Sequence, residues 1–204
     1  MFYSLIKILF APIIKFFWLG EIKGINNIPT KKSVILCANH TSYLDFLLLA
    51  SVLSKKVYFL AAEVFFKSKI WYPLVKFTGQ IRVDRNAEDK SKTYIGVDNI
   101  LNRHDTLCLF PEGTRSRSGK LQKGYNGAVK FAYKYKVPIV PIGILGAFEA
   151  WPPQKKIPKI KKINLVFGEP YRVITDSFEY ETSILMNKIA KLSNQNYKSN
   201  DKIL

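Results

Sequence analysis

The chain has 204 residues, 48% of them apolar, which suits one domain with a packed core and excludes a disordered segment. Its formal charge of +17 is extreme for that size and calls for an anionic partner: a membrane surface, a phosphate-bearing substrate or nucleic acid. The two cysteines, Cys37 and Cys108, lie in apolar runs, make neither a disulfide framework nor a metal signature, and are expected as reduced core residues.

Residues 1–19 are almost entirely apolar. Ser4, Lys7, Ala11 and Lys15 recur at helical spacing and make one narrow stripe; the rest of the cylinder is mostly Phe, Ile, Leu, Trp or Tyr. At about 1.5 Å per residue such a helix is just long enough to span a bilayer. Lys7, Lys15 and the central Pro12 favour a helix that lies in the interface, with a helix packed on the protein's own core as a further alternative. No small-residue cleavage site follows, so a signal peptide is not expected. Residues 1–20 therefore read as a membrane-anchoring helix and 21–204 as one domain.

From there short apolar runs alternate with helical stretches. In chain order the pattern predicts a strand at 33–38, a helix at 44–53, a strand at 57–61 and a helix at 64–77 with a break near Pro73. A strand at 79–83, a helix at 90–102, a strand at 106–110, a helix at 126–135 and strands at 138–142 and 163–167 follow, and 178–193 forms a terminal helix. This alternation predicts a single α/β domain with a mostly parallel sheet flanked by helices. In such sheets, sites form beyond the carboxyl ends of the strands.

Two segments begin where a strand stops. The first is Asn39-His40-Thr41-Ser42-Tyr43-Leu44-Asp45. Residues five apart do not face each other on a continuous helix. They meet if His40 lies on the turn before the helix and Asp45 in its first turn, with Ser42 as N-cap and Asp45 at the third helical position of a capping box. The carboxylate would then bond one imidazole nitrogen and leave the other as a general base. The segment alone equally fits an Asp45 that only caps the helix.

The second segment is Phe110-Pro111-Glu112-Gly113-Thr114-Arg115-Ser116. A glycine turn with an arginine offers backbone donors and a planar cation to a phosphate, unless it is a surface turn with a Glu–Arg pair. Arg82 and Arg85 follow another strand, where solvated charge is the plainer reading. Cys37 lies three residues before His40; on a strand that spacing points it to the opposite face, into the core.

Together these segments resemble the glycerolipid acyltransferase family, typified by the bacterial 1-acylglycerol-3-phosphate acyltransferases. The family's Asn-His-x4-Asp motif is matched by Asn39, His40 and Asp45. Its second motif, a strand ending in an arginine, is matched by 79–85. Its third, Phe-Pro-Glu-Gly-Thr-Arg-Ser, is matched in full by Phe110 through Ser116. Its fourth, Val-Pro-x-x-Pro, is matched by Val137, Pro138 and Pro141. Order and spacing agree, and the resemblance covers roughly 21–172.

The resemblance implies a glycerol-3-phosphate acyltransferase-like domain in which His40 is the general base and Asp45 orients it. It assigns Arg85, Glu112, Gly113, Thr114 and Arg115 to the phosphate of the acceptor. Many members carry Phe-Lys-x-Gly after the third motif, whereas this chain has Leu121-Gln122-Lys123-Gly124, so Lys123 and Lys120 compete for the last place in that site. The expected reaction moves an acyl chain from a thioester of acyl-carrier protein or coenzyme A to the free hydroxyl of 1-acylglycerol 3-phosphate. The product is phosphatidic acid, for phospholipid biosynthesis. No metal, no cofactor beyond the thioester substrate and no nucleic acid are expected. The expected partners are membrane lipid and the carrier-protein or coenzyme A thioester, at the cytoplasmic face of the inner or plasma membrane. One alternative is another acceptor, such as glycerol 3-phosphate or another lysolipid. A non-catalytic basic module for membrane or nucleic acid is the other; it explains the charge but not His40 and Asp45 together with Glu-Gly-Thr-Arg.

Overall fold

The computed structural model describes residues 2–69, 71–83 and 91–197. Helix α1 (Phe2–Trp18) runs directly into strand β1 (Leu19–Lys23). After them come β2 (Val34–Ala38), α2 (Leu44–Val52), β3 (Val57–Ala62), α3 (Glu63–Lys67), α4 (Tyr72–Phe77), β4 (Ile81–Val83) and α5 (Ser91–Asn102). The chain continues through β5 (Thr106–Leu109), α6 (Gly127–Tyr135), β6 (Ile139–Leu145), α7 (Ala147–Ala150), β7 (Ile163–Phe167) and α8 (Phe178–Leu192). Among the described residues the strands form one 7-stranded sheet in the order β1-β7-β6-β2-β5-β3-β4. The five strands β2 to β6 are parallel; β7 runs antiparallel to β6, and β1 pairs parallel with β7. The result is the expected α/β domain with a mostly parallel, helix-flanked sheet.

Strand β2 is buried at every position, because helices cover both faces of a parallel sheet. Val34, Leu36 and Ala38 join the core under α1, α2 and α7, while Ile35 and Cys37 join the core under α5, α6 and α8. Helix α2 is apolar almost all round for the same reason: the sheet lies beneath it and α1 packs on its outer side.

Two elements escape the sequence pattern. Strand β1, Leu-Gly-Glu-Ile-Lys, has only two large apolar residues and becomes a strand by pairing with β7, far along the chain. Helix α7 is four residues long, too short for a period. The stretch 64–77 holds two helices, and the break falls between Lys67 and Tyr72. Pro73 sits instead in the first turn of α4, where its missing N–H has no partner to lose.

The stripe on α1 is turned partly inward. Ala11 is buried against the domain, Lys7 Nζ donates to the Leu53 carbonyl just past α2, and Tyr3 Oη accepts the Val57 N–H at 3.4 Å. The small Ala11 allows close approach, and the Lys7 ammonium meets the negative end of α2. The opposite face, with Ile8 at 70% and Phe16 at 75% exposure and Leu5, Leu9, Phe10 and Ile13 at more than half, is uncovered. No described helix is long and apolar enough to cross a membrane.

Candidate active site

The site forms where β2 and β5 end, at the carboxyl edge of the sheet. The Asn39 amide donates to the Ile144 carbonyl at 2.9 Å and accepts the Ile144 N–H at 2.8 Å, so its side chain extends the ladder to β6. The chain then leaves the sheet at His40. Asp45 lies fully buried in the first turn of α2. One of its oxygens, Oδ2, accepts three N–H groups at 2.8 Å each: His40 Nδ1, Thr41 N and Ser42 N. Asp45 therefore closes the helix start and orients the imidazole at once. The helix begins one residue later than the capping box expects, with Tyr43 at the N-cap and Asp45 second in the helix, and Ser42 Oγ accepts the Leu44 N–H and donates to the Trp151 carbonyl. An ionised carboxylate only accepts, so Nδ1 carries the proton and Nε2 is the basic nitrogen. Phe110, directly after β5, stacks on the imidazole with ring centroids 3.9 Å apart.

The 110–116 segment grips the same histidine by its backbone. Gly113, at φ 68°, takes the left-handed conformation that suits glycine, and its N–H closes the turn onto the Phe110 carbonyl. This turns the Glu112 side chain inward, to 2% exposure. Its Oε1 accepts the His40 N–H at 2.6 Å, and its Oε2 accepts the backbone and side-chain N–H groups of Gln122 at 2.9 and 3.2 Å. Ser116 N–H donates to the His40 carbonyl at 2.8 Å. Burial pushes the Glu112 carboxyl up to about 7, against the lowering effect of these donors. Glu112 thus faces His40 and Gln122, not an open anion site.

Thr114 is exposed, and its carbonyl accepts from Gln122 Nε2 at 3.2 Å. The Arg115 guanidinium lies 3.6 Å from the centre of the Tyr43 ring, and its buried Nη1 has no hydrogen-bond partner among the described residues. His40, Phe110 and Arg115 line an apolar cavity of about 160 Å³. Phe46 and Phe59 continue its wall, and Tyr3, Ile6, Phe10 and Ile14 of α1 complete it.

The other candidates lie elsewhere. Lys120 and Lys123 line a separate cleft of about 1030 Å³, divided from the apolar cavity by the turn in which Thr41 faces one side and His40, Ser42 and Tyr43 the other. Arg82 is paired with Glu63. Arg85 lies outside the described residues. Sequence reasoning missed the roles of Asn39, Phe110 and Gln122. An amide directly before the histidine was the available signal for Asn39; Gln122 left none, since its contact depends on how the 117–121 loop folds back.

Cys37 is fully buried beneath α5, α6 and α8, and burial pushes its thiol up, far from nucleophilic service. Cys37→Ala should therefore stay active, and intact-mass measurement after incubation with a thioester donor alone should show no acylated protein. An acyl adduct would contradict direct transfer.

Comparison with known proteins bears on this geometry. A probable 1-acyl-sn-glycerol-3-phosphate acyltransferase of Mycoplasma pneumoniae is 28% identical over 184 residues, covering 84% of this chain and 68% of that protein. The 1-acyl-sn-glycerol-3-phosphate acyltransferase of Cocos nucifera is 29% identical over 159 residues, covering 74% of this chain; the chain spans 48% of the coconut protein. The crystal structure of the 1-acyl-sn-glycerophosphate acyltransferase PlsC of Thermotoga maritima shares the fold, with a TM-score of 0.76 at 20% identity over 96% of this chain and 81% of that one. The acyltransferase family model matches residues 20–145, a span holding His40, Asp45 and the 110–116 segment, and the chain belongs to that acyltransferase family.

Proposed function

We propose that this protein transfers an acyl chain from a thioester of acyl-carrier protein or coenzyme A to the free hydroxyl of 1-acylglycerol 3-phosphate, giving phosphatidic acid. The observation that carries the reading is the 2.8 Å bond from His40 Nδ1 to Asp45 in the wall of an apolar cavity that Arg115 also lines, its Nη1 without a hydrogen-bond partner among the described residues. The names of its relatives support the choice of acceptor.

In the proposed reaction His40 Nε2 takes the proton from the acceptor hydroxyl as its oxygen attacks the thioester carbonyl carbon. Asp45 stabilises the imidazolium. The tetrahedral intermediate collapses with cleavage of the C–S bond, and the proton passes from Nε2 to the leaving sulfur. The cavity receives the acyl chain, and Arg115 receives the acceptor phosphate. Glu112 is a positioning residue that sets the His40 backbone. The apolar outer face of α1 rests in the membrane interface.

Arg115 supplies the test. A charge-assisted bond to phosphate is worth about 1.5–3 kcal/mol. Arg115→Ala should therefore raise the acceptor KM about 10- to 150-fold, with donor KM little changed. An unchanged acceptor KM with weakened donor saturation would contradict the assignment.

Glu112→Gln should act differently. The amide can accept only one of the two backbone N–H groups that the carboxylate now holds, so kcat should fall with acceptor KM unchanged. Stability gives a second readout. In the fold Glu112 holds its proton up to about 7, above the ordinary carboxylate range of the unfolded chain. The native state then binds more protons in that window, and its stability falls as pH rises through it. Urea unfolding at about pH 5 and about pH 8 should show this loss diminished in Glu112→Gln. A loss of the same size in both proteins would contradict it.

A further inference from the structure

We propose that segment 151–162, between α7 and β7, is a second membrane contact that joins the outer face of α1 in one docking surface for anionic bilayers. The inference rests on the membrane reading of α1 and extends it to a part of the chain far away in sequence.

The segment holds five lysines, three prolines and two isoleucines, with no acidic residue. It forms no helix, and only its last residues lead into β7. Ile157 and Ile160 stand 79% and 71% exposed, the first after exposed Lys156 and the second between exposed Lys159 and Lys161. A lone exposed isoleucine needs no explanation. Two of them on one short loop, tied to a helix with an uncovered apolar face, call for one.

The loop is held in place. Lys159 N–H donates to the Ala150 carbonyl at 2.8 Å, and Trp151 Nε1 donates to the Lys155 carbonyl at 2.9 Å. Two further bonds tie it to the end of α1: Trp18 Nε1 to the Lys159 carbonyl at 2.9 Å, and Lys162 Nζ to the Phe16 carbonyl at 2.6 Å. These bonds bring the loop to the end of α1 that carries Phe16, itself 75% exposed. The exposed apolar face of α1 and the two exposed isoleucines thus belong to segments joined by hydrogen bonds.

This pattern fits the boundary between headgroups and acyl chains. Apolar side chains enter it while lysine stems lie along them and hold their ammonium groups at the lipid phosphates. The prolines and the bonds to α1 fix the loop beforehand, which lowers the entropy cost of docking. A nucleic-acid surface would use the lysines but has no use for two isoleucines projecting between them.

The test is flotation of the full chain with vesicles of phosphatidylcholine alone and of phosphatidylcholine with phosphatidylglycerol. Wild type should bind the anionic vesicles more tightly, since each lysine near such a surface strengthens binding by about fivefold. Ile157→Ser with Ile160→Ser should weaken that binding about tenfold, with the melting temperature unchanged because both side chains are exposed. A second measurement labels Ile157→Cys with an environment-sensitive dye, which the two buried native cysteines escape. Its emission should shift to the blue with anionic vesicles. Wild type that floats, together with a double variant that floats equally and a dye that does not respond, overturns the loop contact while leaving α1 as the anchor. Failure of wild type itself to float overturns the membrane reading and the loop contact with it. Loss of binding to duplex DNA, with flotation unchanged in the double variant, makes the segment a nucleic-acid surface and overturns the inference.

Discussion

His40→Ala is expected to lower kcat by about 10²–10⁴-fold while the protein stays folded. The imidazole is one of three groups on Asp45 Oδ2; the Thr41 and Ser42 N–H groups remain on that oxygen, and the buried Oδ1 has no partner among the described residues with or without the imidazole. The backbone of residue 40 keeps its bonds to Glu112 and Ser116, because those involve N–H and C=O only. What disappears is the basic nitrogen in the cavity wall and the ring stacked on Phe110. The effect should therefore fall on turnover, with acceptor KM little moved. Steady-state kinetics with saturating acceptor, beside a thermal melt of the same sample, separates the two. Retention of a tenth of wild-type turnover would mean that another group is the base.

Deleting residues 1–18 should cost nearly as much, through two losses. The apolar sequence of 1–19 alone points to release from membranes and a greater loss on bilayer substrate than on a soluble short-chain acceptor. The structure adds that α1 is a wall of the cavity, supplying Tyr3, Ile6, Phe10, Ala11 and Ile14, and that it covers the outer side of α2. Burying one large apolar side chain is worth about 1.5–3 kcal/mol, so a helix that shields several of them carries much of the local stability. The truncated protein should fail to float with vesicles, melt earlier, and lose activity on the soluble acceptor as well. Release of the full chain from membranes by salt should be only partial, because apolar burial outweighs the roughly 1 kcal/mol contributed by each lysine. Full activity of the truncated protein on a soluble acceptor would contradict the place given to α1 in the cavity wall.

The parts of the fold written in local pattern were legible. Strands β2 and β5 are compact apolar runs, as burial from both sides of the sheet requires, and β7 alternates buried with half-buried positions. Strand β1 was not, because Leu-Gly-Glu-Ile-Lys is a strand only by virtue of β7. The His40 to Asp45 spacing named the pair but left open whether they touch; that depends on the Asn39 amide turning the chain off the sheet at Ile144. The direction of Glu112 was out of reach for a similar reason. The third motif reads as an anion site, yet the left-handed turn at Gly113 swings the carboxylate back to a backbone N–H 72 residues away in sequence. On α1, periodicity separates two faces without saying which one meets protein. Ala11 and the Leu53 carbonyl decide it, drawing the middle of the stripe inward while Ser4 and Lys15 stay exposed.

The most direct test of the proposed chemistry is one assay. The purified full chain is supplied with a radiolabelled acyl thioester and, in parallel, with 1-acylglycerol 3-phosphate, the matching 1-acylglycerol without phosphate, and glycerol 3-phosphate, and the lipid products are resolved by chromatography. A His40 base beside an Arg115 phosphate site predicts labelled phosphatidic acid from 1-acylglycerol 3-phosphate, with the dephosphorylated acceptor slower by the factor that loss of Arg115 produces. Equal rates on the acceptors with and without phosphate, or no labelled lipid from any of the three, would contradict acyl transfer to a phosphate-anchored hydroxyl at this site.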